Sequence, residues 1–199
     1  MTAFLAALAL AASSASLPKT ALRLPAMRQA TDYSCGAASL LSVLTYWGVY
    51  DGTESGLYKE LETTPKDGTE PPSLARAAER RGLAAELREG MTVKDLRDAV
   101  ARGATVILDI QAWKDAKSTV SWENDWDDGH YVVLAGVDDD NAYVMDPAAS
   151  SGFGWLPLAE LELRWHDFED RHGTVRRYVH AGVVIAGKKP AARALERVE

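Results

Sequence analysis

Between residues 35 and 48 the apolar positions recur at helical spacing: Ala38, Leu41, Val43, Leu44 and Trp47, with Gly48 closing the run. The pattern predicts a helix that opens at or beside Cys35, with Asp32 or Ser34 as its cap. Upstream, Pro18 and Pro25 break residues 17–30 into an extended lead-in. Downstream, "DGTESGLYKELETTPKDGTEPP" reads as a turn-rich connection holding a short helix around Leu57 to Leu61. "SLARAAERRGL" predicts a second amphipathic helix, capped by Ser73 and closed by Gly82. "TVKDLRDAVARG" predicts a third, capped by Thr92, with Val93, Leu96 and Val100 on one face.

The periodicity then changes. "ATVILDI" is a continuous branched apolar run and predicts a buried strand. "HYVVLAGV", "AYVMD" and "RYVHAGVVIAG" predict three more, the first two joined by a turn in "DDDN". The intervening "QAWKDAKSTVSWENDWDDG" is polar and aromatic and predicts a surface loop. Helices come first and strands later, with no repeat and no shift of composition. That order predicts one α+β domain over residues 17–199 rather than a doubly wound sheet.

Composition narrows the chemistry. A chain of 199 residues, 47% hydrophobic and 26% charged, can bury a core without disulfides or structural metals. Its single Cys excludes an internal disulfide and a Cys-rich zinc site. A net charge of -7 argues against nucleic acid as a partner and fits a protein that handles peptides or small molecules. At the N-terminus an apolar run from Phe4 to Ala12 is followed by small residues, which predicts a signal peptide over residues 1–16, cut after Ala15 or Ser16. The run is too short to span a bilayer, and no Cys near the cut offers a lipid attachment point. No Lys or Arg precedes it, so its positive end is the terminal amine alone. The expectation is an extracytoplasmic protein, periplasmic or secreted, with no integral membrane segment in the mature chain.

The position of Cys35 raises a further question, because a lone Cys is most often a small apolar packing residue. Thiol catalysis needs a thiolate, a base, a group to orient that base, and donors for an oxyanion. A helix N-terminus favours the thiolate, and the first-turn N–H of Cys35 is a candidate oxyanion donor. Gly36 leaves room for a substrate to approach the backbone. Gln29, six residues earlier, has a side-chain NH₂ suited to a second donor, although a loop Gln is ordinarily solvated. His130 opens one predicted strand and Asp146 ends the next. A turn near Asp138 to Asn141 would set the two roughly opposite each other, with Asp146 accepting Nδ1–H and Nε2 left for the thiol.

Other features are weaker. "ENDWDDGH" fails as a calcium loop because Trp126 breaks the alternating acid pattern, and Asp127 or Asp128 is a poorer orienter of His130 than Asp146. Trp113, Trp122 and Trp126 are candidates for the wall of a cleft. His166, His172 and His180 have no flanking pattern and are expected at the surface.

Taken together, "RQATDYSCGAASLLSVLTYWG", "SLARAAERRGL", "GATVILDI" and "DGHYVVLAGVDDDNAYVMDP" resemble the C39 peptidases of the papain-like superfamily, over about residues 25–187. The resemblance implies a papain-like α+β fold in which the nucleophile opens the central helix and the sheet supplies His and Asp. Residue by residue it implies Cys35 as nucleophile, His130 as base, Asp146 as orienter and Gln29 as oxyanion donor. It implies a peptide or protein substrate and neither metal nor organic cofactor. The best-known members are domains of ABC exporters that cut leaders after a double glycine. This chain carries no P-loop, so that substrate does not transfer. Two rival readings keep the fold: an acyltransferase or transpeptidase using the same residues, and a non-catalytic peptide-binding domain.

Overall fold

Helix formation begins at Cys35 because Ser34 turns the chain inward and the next residues are small and apolar. In a computed structural model, which describes residues 16–171 and 173–188, helix α1 spans Cys35–Tyr46. The expected signal peptide therefore lies outside the described residues except for Ser16. Leu40, Val43 and Leu44 of α1 are fully buried, each contributing roughly 1.5–3 kcal/mol. Ser34 occupies the cap position without capping. Its hydroxyl instead accepts from the Thr31 N–H at 3.1 Å and donates to the Thr31 carbonyl at 3.3 Å. That exchange tightens the loop before the helix.

Two short helices follow, α2 (Ser55–Leu61) and α3 (Pro71–Glu79). The latter starts earlier than Ser73 because Pro71 and Pro72 occupy its first turn, where a missing N–H costs nothing. After strand β1 (Ala84–Arg88), α4 (Val93–Ala101) carries the expected Thr92 cap, closed into a box by Asp95. The remaining elements are β2 (Thr105–Gln111), β3 (Gly129–Val137), β4 (Asn141–Met145), β5 (Phe153–Pro157), α5 (Leu158–Arg164), β6 (His166–Arg171), β7 (Thr174–Val179) and β8 (Gly182–Ala186). The sheet is antiparallel in the order β1-β8-β2-β3-β4-β5, with β6 and β7 forming a separate ribbon. The architecture is α+β.

Strand alternation sorts the core into two layers. Ile107, Tyr131, Val133 and Met145 pack against α1, α2 and α3, while Val106, Leu108, Ile110, Val132 and Val144 face α4 and α5. Helices on both faces explain why β2 is buried at every position and reads as an unbroken apolar run. They also correct the expectation that the helices precede the strands, since α4 and α5 are threaded between strands. "RYVHAGVVIAG" is likewise two strands and not one. The chain breaks at His180, whose φ of 49° no extended residue adopts.

Gly36 has a different use from the expected one. A Cβ there would lie 2.8 Å from the Thr69 Cβ and 3.1 Å from the Tyr131 ring, so its bareness serves helix packing. Thr69 is tied to Thr63 by a 2.7 Å hydroxyl bond and cannot simply retreat. Gly36→Ala should therefore cost about 1–3 kcal/mol of overpacking, read as a lower urea midpoint at unchanged slope.

Candidate active site

Three polar contacts fix the helix that carries Cys35 against the strand that carries His130. The buried Ser39 hydroxyl of α1 donates to the Tyr131 carbonyl at 3.2 Å, one residue past His130. The Ser42 hydroxyl donates to the Pro25 carbonyl at 2.7 Å, and the Leu22 N–H to the Ala135 carbonyl at 2.7 Å. Helix, lead-in and strand are thus laced together with Cys35, half-buried, at the open end.

His130 and Asp146 meet as the hairpin argument expects. The turn falls at Asp138–Asn141, where Asp138 Oδ1 accepts the Asn141 N–H at 2.7 Å and Oδ2 accepts the Tyr143 hydroxyl at 2.6 Å. The ladder pairs Val133 with Met145, and a bulge between Leu134 and Gly136 shifts it by one residue. One step beyond Val133, Asp146 faces Val132, so His130 is its diagonal neighbour and reaches it lengthwise. The His130 Nε2 lies 2.8 Å from Asp146 Oδ1, and both side chains are buried. This reverses the expected ring orientation. The distal nitrogen serves the carboxylate, leaving Nδ1 for the thiol.

Electrostatics follow from that geometry. Burial works against the His130 imidazolium, but the hydrogen bonds to Asp146 and Cys35, with their charges, outweigh it and raise its pKa to about 9. Burial likewise opposes the Asp146 charge, yet the His130 ring and the Ala148 and Ala149 N–H groups hold its carboxyl below the usual range. His130 is thus bonded to Asp146 on one side, with Cys35 near enough on the other to bear on the ring.

Gln29 arrives from the other side. Its backbone N–H donates to the Pro147 carbonyl at 3.0 Å, which seats it next to Asp146. Its Nε2 donates to the Thr31 carbonyl at 2.8 Å, while its buried Oε1 has no partner. One side-chain N–H is therefore used to hold the loop, and the amide keeps a second. Sequence reasoning missed the residue that pins this loop. Buried Glu54 accepts the Ala30 N–H at 3.0 Å and the Tyr58 hydroxyl at 2.8 Å. No sequence signal pairs residues 24 positions apart, so only the fold reveals it.

The remaining candidates separate. Trp113, 62% exposed, and Trp122 line a cavity of about 510 Å³ that reaches Asp146, together with Phe153 and Trp155. Trp126 is not among them, for its ring packs 4.3 Å from that of His166. His166 is buried, contrary to the surface expectation, with Nε2 2.7 Å from the Asp125 carbonyl. His180 stacks on buried Trp165, and His172 lies outside the described residues. Asp127 is exposed and Asp128 gives its N–H to Gln111, so neither orients His130. Among the described residues no cluster of His, Cys, Asp and Glu could hold a metal, and no helix is long and apolar enough to cross a membrane.

An antiparallel sheet with a Cys-led helix against a His-bearing strand is the architecture of papain-like C39 peptidase domains. The Peptidase_C39 like family matches residues 21–172, and the chain belongs to that family. It is 29% identical over 138 residues to the Transport/processing ATP-binding protein ComA of Streptococcus pneumoniae. The match covers 69% of this chain but only 17% of that protein. An uncharacterized protein of Methanothermobacter marburgensis is 32% identical over 122 residues, 61% of this chain and 70% of its own length. Among solved structures, the fold is similar to a double glycine motif protease from an AMS/PCAT transporter in complex with the leader peptide. The TM-score is 0.58 at 20% identity, over 83% of this chain and 93% of that one.

Proposed function

We propose that this chain is an exported cysteine peptidase acting through Cys35, His130, Asp146 and Gln29. The observation that supports this reading is the 2.8 Å contact of His130 Nε2 with Asp146 Oδ1, on a ring whose pKa is raised to about 9 by Asp146 and Cys35. The Cys35 sulfur attacks an amide carbonyl, and the negative charge that develops on its oxygen meets the Cys35 N–H and the second N–H of Gln29. His130 then gives its Nδ1 proton to the departing amine, with Asp146 holding the ring through Nε2. In the second half, His130 takes a proton from water as the water attacks the thioester, the C–S bond breaks, the acid leaves, and the sulfur and the protonated ring return to their starting state. The leader-peptide complex of the transporter protease supports a peptide as substrate class. Export rests on the "FLAALALAASSAS" segment alone.

Digestion of a peptide library by wild type and by Cys35→Ser, each with and without added glycinamide, tests the reading. Wild type should produce new free carboxyl termini under both conditions, and the variant should produce none. Products capped as glycinamide adducts would make the protein an acyltransferase. Equal cleavage by the two proteins would remove Cys35 from the chemistry.

A further inference from the structure

Beside Cys35 lies a second cavity, of about 220 Å³, on the face of the sheet that packs against α1. The catalytic reading uses nothing in it except the thiol. Among the described residues its lining includes the acids Asp32, Asp67, Glu70, Asp109, Asp167 and Glu169 and the cation Lys66. Lys66 is already paired with Asp67 at 3.0 Å on the exposed rim. An adjoining cavity shares Asp67, Glu70, Asp167 and Glu169 and adds Asp127 and Asp170, so the acidic surface continues outward from the thiol.

Acidic residues on a rim are commonplace, but the cavity floor is not. Asp109, 3% exposed, stands on β2 opposite Tyr131, and its Oδ1 receives no donor from the protein. A carboxyl oxygen buried without a donor forfeits its hydration with no return, an arrangement found where a ligand completes the set. Its neighbour Asp167 is held in place by design. Asp167 Oδ1 accepts from the Phe168 N–H at 2.8 Å and from the Gln111 amide at 3.1 Å. Gly129 makes room for the other oxygen, since a Cβ there would lie 2.2 Å from Oδ2. Burial, and after it the neighbouring Asp167, pushes the Asp109 carboxyl well above the usual carboxylate range. Both acids are buried on one wall, burial raises both carboxyls, and the cavity has room for a cation beside them.

We infer that this cavity receives a cationic side chain, Lys or Arg, of the peptide substrate, with Asp109 and Asp167 as its partners. Tyr131 and Tyr178 share the lining and offer ring surface to a long aliphatic stem whose charged head meets the floor. The inference rests on the peptidase reading and names its substrate class: peptides with a basic residue next to the scissile bond. It also gives a reason for the loop from Gln111 to Gly129 to fold back, because Gln111 ties both Asp128 and Asp167.

The test has two arms. In the first, wild type digests a library randomised on both sides of the cut. Lys and Arg should be enriched at least tenfold over Met and Gln at one fixed position. Asp167→Asn should bring that ratio to within twofold of unity, with Asp109→Asn as second variant and thermal unfolding to show that each is folded. In the second arm, Cys35→Ala protein is titrated with a fluorescein-labelled pentapeptide bearing central Lys and with its norleucine counterpart. The Lys peptide should bind at least tenfold more tightly. Cleavage without basic enrichment overturns the pocket assignment and leaves the peptidase reading standing. Tighter binding of the Lys peptide with no cleavage by wild type keeps the assignment and overturns the peptidase reading. Equal binding of the two peptides with no cleavage overturns both. An enrichment that survives in both folded variants places selectivity elsewhere and overturns the assignment.

Discussion

Replacing Cys35 by Ser should lower kcat/KM for peptide hydrolysis by roughly 10⁴–10⁶-fold while leaving unfolding free energy within about 0.5 kcal/mol of wild type. The two halves of this expectation rest on different physics. Oxygen for sulfur is nearly isosteric, and Cys35 is only half-buried at the first turn of α1. Chemistry is affected far more, because a Ser hydroxyl is a much weaker acid than a thiol. Its proton would have to go to His130, whose ring is already protonated at neutral pH beside Asp146. The thiol pairs with an imidazolium, while the alcohol would need a neutral imidazole. What survives is binding and the oxyanion donors alone. Chemical denaturation alongside steady-state kinetics checks both halves, and a folded Cys35→Ser protein that retained activity within tenfold of wild type would sink the role assigned to Cys35.

How far the sequence reaches can be judged from individual elements. α1, α4, β2, β3 and β4 are legible because each carries either a clear period or an apolar run, and Gly48, the Thr92 box and the Asp138 turn mark their ends. β1, β5 and β6 are not, since "AAELR", "FGWLP" and "HDFEDR" carry mixed or polar patterns and become strands only when a neighbour supplies hydrogen bonds. The same division runs through the site. His130 and Asp146 are joined by a hairpin, a short-range device, so their meeting is readable, whereas which ring nitrogen reaches Asp146 is set by side-chain packing and is not. Asp109 reads as one polar residue in an apolar strand, and Asp167 lies 58 positions further on in an element the pattern hides. Their pairing is a product of tertiary structure, as is the Glu54 contact to Ala30. Chemistry built on adjacent strands is visible in sequence. Chemistry assembled from elements far apart in the chain is not.

His130→Ala should reduce kcat/KM by roughly 10³–10⁴-fold and abolish the basic limb of the pH profile. In the wild type the ring is cationic below about 9 and neutral above it. Acylation needs the cation, because the leaving amine must be given a proton. The rate should therefore hold through neutral pH and fall about tenfold per unit above 9. Asp146→Asn removes the carboxylate that supports the cation, so its basic limb should move to lower pH. The same raised pKa contributes to stability. The contribution is fully present below the unfolded value of about 6.5 and is lost as the pH rises through about 9. Wild type should consequently lose more unfolding free energy between pH 7 and pH 10 than His130→Ala does. A burst of acyl-enzyme, followed as a function of pH, separates the acylation limb from product release. A limb near 9 that persisted in His130→Ala would assign the proton to another group, and one unmoved in Asp146→Asn would detach Asp146 from the ring it holds at 2.8 Å.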